Sequence, residues 1–169
     1  GDIRCNIVRQ EGTNSYYFTS KGGYFYGVTA DENGIIDENS LKYIQLKNGS
    51  EGIPMSTSTP TIYGNRAYIG VCGASQFGAY SGHNITVLDL KNWGIAYQVK
   101  TMGYPQTSGL LTTAYEKSEG VAYIYFFDNY TPGKLRVITD KEGQTAPEKT
   151  ITESYRVNGK LVDYETAPV

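Results

Sequence analysis

Short apolar runs, separated by clusters of turn-forming residues, recur along the whole chain. The clearest set lies within residues 58–100, where the runs 66–72 and 85–90 carry apolar residues at adjacent as well as alternate positions. That pattern is typical of strands buried on both faces. Residues 96–100 alternate more regularly, as expected for an outer, half-exposed strand. The stretch therefore predicts a four-stranded β unit whose first strand follows Pro60.

The same unit recurs on both sides of this stretch, with a period of about 50 residues that falls in the range of propeller blades. Strands are predicted at 5–8, 15–19, 24–29 and 41–46 in the first unit, and at 110–115, 121–127, 135–139 and 149–152 in the third. The units occupy residues 3–53, 54–104 and 105–155. Residues 156–169, with an Asn158-Gly159 hairpin turn, are expected to begin a further unit. Helical periodicity is absent from the pattern, so low helix content is predicted.

Composition supports strands and limits the partners. The 169 residues suit a single domain, and 16 tyrosines and 20 glycines favour strands and turns. With 15 basic and 17 acidic residues the formal net charge is −2, so we expect no nucleic-acid partner. No apolar run approaches the roughly 20 residues of a membrane helix, so no membrane span is expected.

The tyrosine content suits an extracellular or cell-surface protein. Because the chain opens with Gly1 rather than Met, we expect it to be a piece of a longer protein. The cysteines, Cys5 and Cys72, are too few for a disulfide framework. They are either joined in a single bridge or, as we favour, unpaired thiols within strands.

Three groups of residues carry a family resemblance: S-T-P-T-I-Y-G-N-R-A-Y-I-G-V with L-D-L-K-N-W-G, Y-Y-F-T-S-K-G-G-Y-F-Y-G-V-T-A-D-E-N-G, and G-V-A-Y-I-Y-F-F with L-R-V-I-T-D-K-E-G. They resemble the repeats of the PQQ-like, quinoprotein-type β-propellers. The resemblance implies an all-β fold: a partial propeller of about three four-stranded antiparallel blades in an incomplete ring, forming one domain over residues 1–169.

The enzymes of that family bind pyrroloquinoline quinone with a calcium ion and use acidic catalytic residues. The sequence matches none of the motifs for that chemistry. The tryptophan docking motif typical of the enzyme branch is also missing, since the chain has only Trp93. The resemblance therefore points to the non-enzymatic surface or scaffold branch, with no cofactor and no catalytic residues expected.

The loop 73–82 is longer than its counterparts, and loops concentrate binding function. Phe77 and Tyr80, together with Tyr130 in the matching loop of the third unit, are candidates to stack on a sugar or a peptide. The alternative is a variable surface loop or a contact with a neighbouring blade. The tyrosine runs 16–17, 24–26 and 123–125 are interpreted as packing between blades.

Asp31, Asn33 and Asp37 place oxygen ligands at alternating positions, as calcium loops do. The pattern departs from the EF-hand, and an ordinary turn is the favoured alternative. His83, the single histidine, is expected in a solvent-facing loop. Three acids at strand ends are candidates for a glycan-hydrolysing pair, although such positions are also structural: Asp89, Asp128 and Asp140.

These observations predict a non-catalytic propeller segment of a secreted or cell-surface protein that binds protein or glycan partners or acts as a scaffold. The alternative is a fragment of a quinone-dependent dehydrogenase or of a glycan-active propeller enzyme. Because propellers close with typically four to eight blades, three blades leave uncovered faces. We expect these faces to bind neighbouring domains of the parent chain or a second copy.

Overall fold

A computed structural model describes residues 1–48, 53–74, 80–114, 118–129, 134–157 and 160–163. Within these ranges every regular element is a β-strand, and the strands form three antiparallel sheets, none of which closes on itself. The predicted all-β class is confirmed. The described part contains no helix long and apolar enough to cross a membrane.

The first sheet is a four-stranded meander in the order β1-β2-β3-β4. Its strands are β1 (Val8–Arg9), β2 (Ser15–Ser20), β3 (Tyr24–Ala30) and β4 (Ile36–Gln45). The fourth strand begins five residues before the predicted start at residue 41. Its first half, I-D-E-N-S, is a polar edge whose side chains are mostly exposed, so it carries no apolar alternation. A register shift opposite Gly27 to Thr29 separates this half from the rest.

The second sheet contains β5 (Ile53–Met55), β6 (Thr61–Tyr63), β7 (Arg66–Ala74), β8 (Tyr80–Asp89) and β9 (Gly94–Lys100). Both β5 and β6 pair with the same edge of β7, at its two ends. The sequence did not predict β5, which contains Pro54 and lies at the sheet edge where proline is tolerated. The expected loop 73–82 is shorter than predicted, because β7 continues to Ala74 and β8 already starts at Tyr80.

The third sheet runs in the order β10-β11-β12-β13-β14. Its strands are β10 (Leu110–Thr112), β11 (Val121–Phe127), β12 (Leu135–Lys141), β13 (Lys149–Val157) and β14 (Lys160–Asp163). The predicted hairpin is present, with Val157 opposite Lys160. In the structure this hairpin extends the third sheet. Residues 164–169 lie outside the described ranges, so the further unit stays a prediction.

The first and second sheets pack face to face through alternate residues of their strands. Their shared core is formed by Tyr17, Phe25, Ile44 and Leu46 from the first unit and by Ala67, Ile69, Val71 and Leu88 from the second. Trp93, in the turn between β8 and β9, lies 5.9 Å from the Phe25 ring and donates its indole N–H to the Tyr43 carbonyl at 3.0 Å. Its φ of 55° is unusual for a bulky residue, so this packing outweighs a backbone cost of about 1–3 kcal/mol.

The second and third sheets share another core on the opposite face of the second sheet. It consists of Tyr68, Ile85, Val87 and Tyr97 against Ala122, Ile124, Phe126 and Ile138. Along β7, Ala67, Ile69 and Val71 therefore point to the first sheet, while Tyr68 points to the third. Burial on both faces explains the nearly continuous apolar runs, as the sequence predicted.

Gly70 of β7 lies close to the segment that links the second and third sheets, at Pro105. A Cβ atom at Gly70 would collide with the backbone carbonyl of Pro105. Pro105 is itself buried, so this linker has little room to move away. The position therefore requires glycine because of a close backbone approach.

We predict that Gly70→Ala destabilises the protein by about 1–3 kcal/mol, because the new methyl group overpacks a site bounded by backbone. Urea unfolding followed by tryptophan fluorescence measures the change. Gly94→Ala is the matched control, since it also lies in a strand and its Cβ would meet nothing within 4 Å. Equal stability of the two variants would contradict the tight contact at Pro105.

Candidate functional site

A cavity of about 640 Å³ opens where residues of all three units meet. It is lined by Arg4, Lys21, Met55, Thr57, His83, Tyr104, Gln106, Thr107 and Asn129. Several of these belong to what we call the leader segments, residues 1–7, 56–60 and 101–109, which precede the edge strands β1, β6 and β10. The cavity therefore lies at the edge of the three sheets where these strands begin.

Hydrogen bonds hold the leader segments together. The Asn6 amide donates to the Thr59 hydroxyl at 2.9 Å, and the Ser58 hydroxyl donates to the Thr107 carbonyl at 2.9 Å. Below them, Met55, Cys72 and Tyr104 form a small buried core. The cavity thus has a packed apolar floor and a polar rim.

His83 lines this cavity from strand β8. The prediction of a solvent-facing loop is wrong, because pairing of β7 with β8 continues past Asn84 to Tyr80 and carries His83 into the sheet. The side chain is half-buried, and its Nδ1 has no hydrogen-bond partner among the described residues. Burial lowers the pKa of His83 below its ordinary value, and the charge of Asp128 partly opposes that shift.

Arg4 and Lys21 supply the positive charge of the cavity. The Arg4 guanidinium donates to the Asp2 carboxylate at 3.2 Å, and both side chains are more than half exposed, so the pair contributes little to stability. Lys21 is half-buried, and its ammonium forms no ion pair within the described ranges. No carboxylate is found among the described lining residues.

The acids at strand ends have structural partners. Asp140 is fully buried between the second and third sheets and accepts hydrogen bonds from the hydroxyls of Tyr97 at 2.6 Å and Tyr68 at 2.8 Å. Arg66 lies beside it, with Nε 3.5 Å from Asp140 Oδ2. Since Arg66 Nε lacks hydrogen-bond geometry there, this contact is an ion pair without a hydrogen bond. Burial, reinforced by the Asp140 charge, raises the pKa of both tyrosines.

The other two acids are also engaged. Asp128 is fully buried and accepts from Arg136 Nε at 3.0 Å and from the Met102 amide at 3.2 Å. Asp89 accepts from the Lys91 and Asn92 amides of the turn that follows β8. Each carboxylate thus stabilises its own unit or interface. These contacts support the alternative that the three acids have structural roles.

Most of the aromatic residues that were candidates for stacking on a ligand lie outside the described ranges. Phe77 and Tyr130 are not among the described residues, and for Tyr80 only the backbone, at the start of β8, is described. Their role in binding stays a prediction.

The calcium candidates lie on the exposed turn after β3 and at the start of β4. Asp31 Oδ1 accepts from the Asn33 and Ile35 amides at 2.9 and 2.8 Å, and Asp37 Oδ1 accepts from the Asn39 amide at 3.0 Å. These are the bonds of a turn, and the described residues hold no group of three or more acidic, cysteine or histidine side chains suited to a metal ion.

Both cysteines are free thiols, and Cys72 lies within β7, as the favoured alternative predicted. Cys5 precedes β1, so its predicted place within a strand is wrong. Cys5 accepts from the Thr19 amide with its Sγ at 3.1 Å. Cys72 is fully buried, and burial raises the pKa of its thiol to about 12, so it stays protonated at neutral pH. Cys72 is therefore not an activated nucleophile in this environment.

The tyrosine runs divide between two environments. Tyr17 and Phe25 pack against the second sheet, as predicted, but their neighbours point the other way. The outer face of the first sheet, which we define by Tyr16, Phe18, Tyr24, Tyr26 and Tyr43, includes a stacked Phe18–Tyr26 pair at 5.1 Å and an edge-to-face Tyr24–Tyr43 pair at 5.6 Å. The outer face of the third sheet is defined by Leu110, Tyr123, Tyr125, Phe127 and Val137.

Sequence reasoning did not identify Arg4, Lys21 or Asn129 as members of a site. They come from distant segments, and only the pairing of the sheets brings them to one cavity. The one available signal concerned Arg4, because the leader segments precede the first strand of each repeated unit. Lys21 follows β2 and Asn129 follows β11, so the repeat gave no signal for these two residues.

Comparison with known proteins places the fold. No family model matches the sequence, and no curated protein matches it significantly. Among solved structures, the quinohemoprotein alcohol dehydrogenase ADHIIG from Pseudomonas putida HK5 is similar, with a TM-score of 0.54 and 11% sequence identity. The match covers 94% of this chain and 30% of that chain. The fold is that of a β-propeller segment.

At this identity the similarity shows the fold alone. The three sheets are the blades of a partial propeller, as the resemblance of the repeats implied. The chain spans less than a third of the dehydrogenase, and the alcohol dehydrogenase activity is a property of that protein.

We predict that His83 titrates below its ordinary pKa of 6.5, because burial disfavours its charged form. The unfolded chain then binds the proton at higher pH than the folded chain. The contribution of His83 to stability is therefore complete above about pH 6.5 and is lost as the pH falls toward the folded-state pKa. NMR titration of the ring is unambiguous, since the chain has one histidine.

The His83→Gln variant is the control, and its free energy of unfolding should lose the part of the pH dependence that lies below pH 6.5. A midpoint at or above 6.5 for His83 would contradict its half-buried placement.

Proposed function

We propose that this chain is a non-catalytic β-propeller segment of a secreted or cell-surface protein, which binds protein or glycan partners or acts as a scaffold. The observation that carries the proposal is the aromatic character of the two outer faces. In the described part of the chain neither face is covered by another sheet. Large apolar faces of this kind mark interaction surfaces in soluble proteins.

The outer face of the third sheet is built like a face that is already covered. The second sheet presents Tyr68, Val87 and Tyr97 to the third sheet, and these side chains are buried there. The third sheet repeats this combination of tyrosine and valine with Tyr123, Tyr125 and Val137 on its own outer face. A further sheet that packs on it would repeat a contact that the protein already makes.

On the first sheet the outer face is more exposed. Tyr43 is 61% exposed, although its backbone carbonyl is held by Trp93 and its ring contacts Tyr24. Tyrosine rings give large contact area at low entropy cost, and their hydroxyl groups tolerate water. This face suits a partner that binds reversibly and leaves the face exposed to water when it dissociates. A neighbouring domain, a second copy or a glycan would be such a partner.

The extracellular or cell-surface location rests on the tyrosine-rich composition. Its 16 tyrosines fit a wet, hydrogen-bonding surface. The buried, protonated thiol of Cys72 and a net charge of −2 fit a role without redox chemistry or nucleic acid.

We predict that the chain self-associates through its outer faces. Sedimentation velocity over a range of concentrations should show a concentration-dependent increase in mass. Tyr43→Ser and Leu110→Ser, one on each outer face, should each weaken the association by about tenfold, because each removes an apolar contact worth about 1.4 kcal/mol. Ile53→Ser is the matched control, since Ile53 is equally exposed at 68% but lies on the second sheet.

A monomer at all concentrations, for the wild type and the variants alike, would refute association through these faces. Weakening by Ile53→Ser to the same extent would place the contact elsewhere.

A quinone-dependent enzyme fragment is the second candidate. It is favoured by the fold similarity to a quinohemoprotein alcohol dehydrogenase and by a cavity with two cationic side chains at the leader segments. The candidate catalytic acids argue against it, because Asp89, Asp128 and Asp140 all form structural hydrogen bonds.

The two candidates differ in their response to quinone. We expect calcium to cause no change in the absorbance of pyrroloquinoline quinone mixed with purified protein, because no carboxylate among the described residues lines the cavity to hold the ion. A saturable spectral change that requires calcium would favour the enzyme and count against the non-catalytic proposal.

A further inference from the structure

We propose that the cavity at the leader segments binds a small organic anion through a carboxylate or phosphate group, with Arg4 and Lys21 as its charged contacts and His83 in its wall. This inference is independent of the proposed scaffold function, because it concerns the cavity and not the outer faces.

The charge of the cavity is one-sided. Two of its described lining residues are cationic and none is acidic. The Lys21 ammonium forms no ion pair within the described ranges, while Arg4 is held only by the exposed Asp2 at 3.2 Å. An exposed pair of this kind exchanges partners readily, since it contributes at most about 1 kcal/mol. A guanidinium and an ammonium that converge on one space favour an oxyanion.

Neutral donors extend the same rim. The side-chain amides of Gln106 and Asn129 and the hydroxyl of Thr107 line the cavity, and the structure gives these groups no hydrogen bond to described residues. By contrast, Thr57 is already engaged, because its amide donates to the Tyr104 hydroxyl at 2.6 Å. The available groups are thus donors at the edge of the cavity, suited to an oxyanion or to the hydroxyls of a sugar.

His83 provides a second, independent observation. Its ring lines the cavity, yet its buried Nδ1 has no partner among the described residues. A buried polar atom without a partner costs about 1–3 kcal/mol. Native structures rarely leave such atoms unexplained, and a ligand or its bound water is the usual partner.

One buried acid acts on the wall of the cavity. The charge of the Asp128 carboxylate partly opposes the lowering of the His83 pKa by burial, and its Oδ1 has no hydrogen-bond partner among the described residues. Its Oδ2 forms an ion pair with Arg136 at 3.0 Å and accepts from the Met102 amide at 3.2 Å, so the Arg136 charge offsets that of Asp128. The volume of about 640 Å³ lies within the range of roughly 300–1,000 Å³ that is typical of sites for metabolite-sized ligands. The site is therefore large enough for a sugar acid or a sugar phosphate.

Three sugars with the same ring test the inference: glucuronate, glucose 6-phosphate and glucose. The readout is the NMR signal of the His83 ring, together with isothermal titration calorimetry on the full chain. We expect one or both anionic sugars to shift the signal saturably, with glucose leaving it unchanged at the same concentration. The response of glucuronate compared with that of glucose 6-phosphate tells carboxylate from phosphate.

Variants then locate the site. Arg4→Gln and Lys21→Gln should each weaken binding of the active sugar by about tenfold, the effect of losing one charge-assisted contact of about 1.4 kcal/mol. Lys91→Gln is the matched control, since it removes the same charge from an exposed turn away from the cavity and should leave binding unchanged.

Equal responses to glucose and the two anions, no saturable response to any of them, or an equal loss of affinity in Lys91→Gln would each overturn the inference. None of these results depends on whether the outer faces associate.

Discussion

The structure depends on the burial of the second sheet from both sides. A sheet whose inner strands carry apolar residues on both faces requires a neighbouring layer on each side to exclude water. The first and third sheets meet that requirement, and each contributes a layer of alternate residues. With both layers in place, the outer faces of the first and third sheets carry aromatic and apolar residues that no further sheet covers in the described part of the chain.

The stacking of similar sheets also creates the cavity. Each sheet has a strand at its edge that is preceded by a leader segment, so stacking brings these segments side by side. Hydrogen bonds such as Ser58 to Thr107 then join neighbouring leaders. Residues as distant as Arg4 and Thr107 come to share one space for this reason, and a polar rim forms above a floor of Met55 and Tyr104.

Much of the fold could be predicted from the sequence, because burial on two faces leaves a strong pattern. The strand Val121–Phe127 was predicted to the residue, and the three-unit repeat follows from the spacing of such runs. Weakly buried edges were missed for the same reason. The polar start of β4 and the proline-containing β5 bury too little to impose an alternation.

The candidate site could hardly be predicted, since its residues have no local signature. His83 shows the difficulty: flanking glycine and serine suggest a loop, whereas pairing with β7 makes the segment a strand. The aromatic candidates in the loops were chosen by composition, whereas the cavity is formed by single polar residues on leader segments, on turns and on strand β8. Only the tertiary arrangement relates them.

The two inner interfaces differ in how strictly they fix their partners. The first contains ring contacts, with Trp93 against Phe25, and the hydrogen bond from the Trp93 indole N–H to the Tyr43 carbonyl. The second contains a buried charge, Asp140, which needs Tyr68, Tyr97 and Arg66 at fixed positions of the adjoining sheet. A register shift of one residue would leave that carboxylate buried without its partners. A change at any of these four positions therefore requires a compensating change at the others.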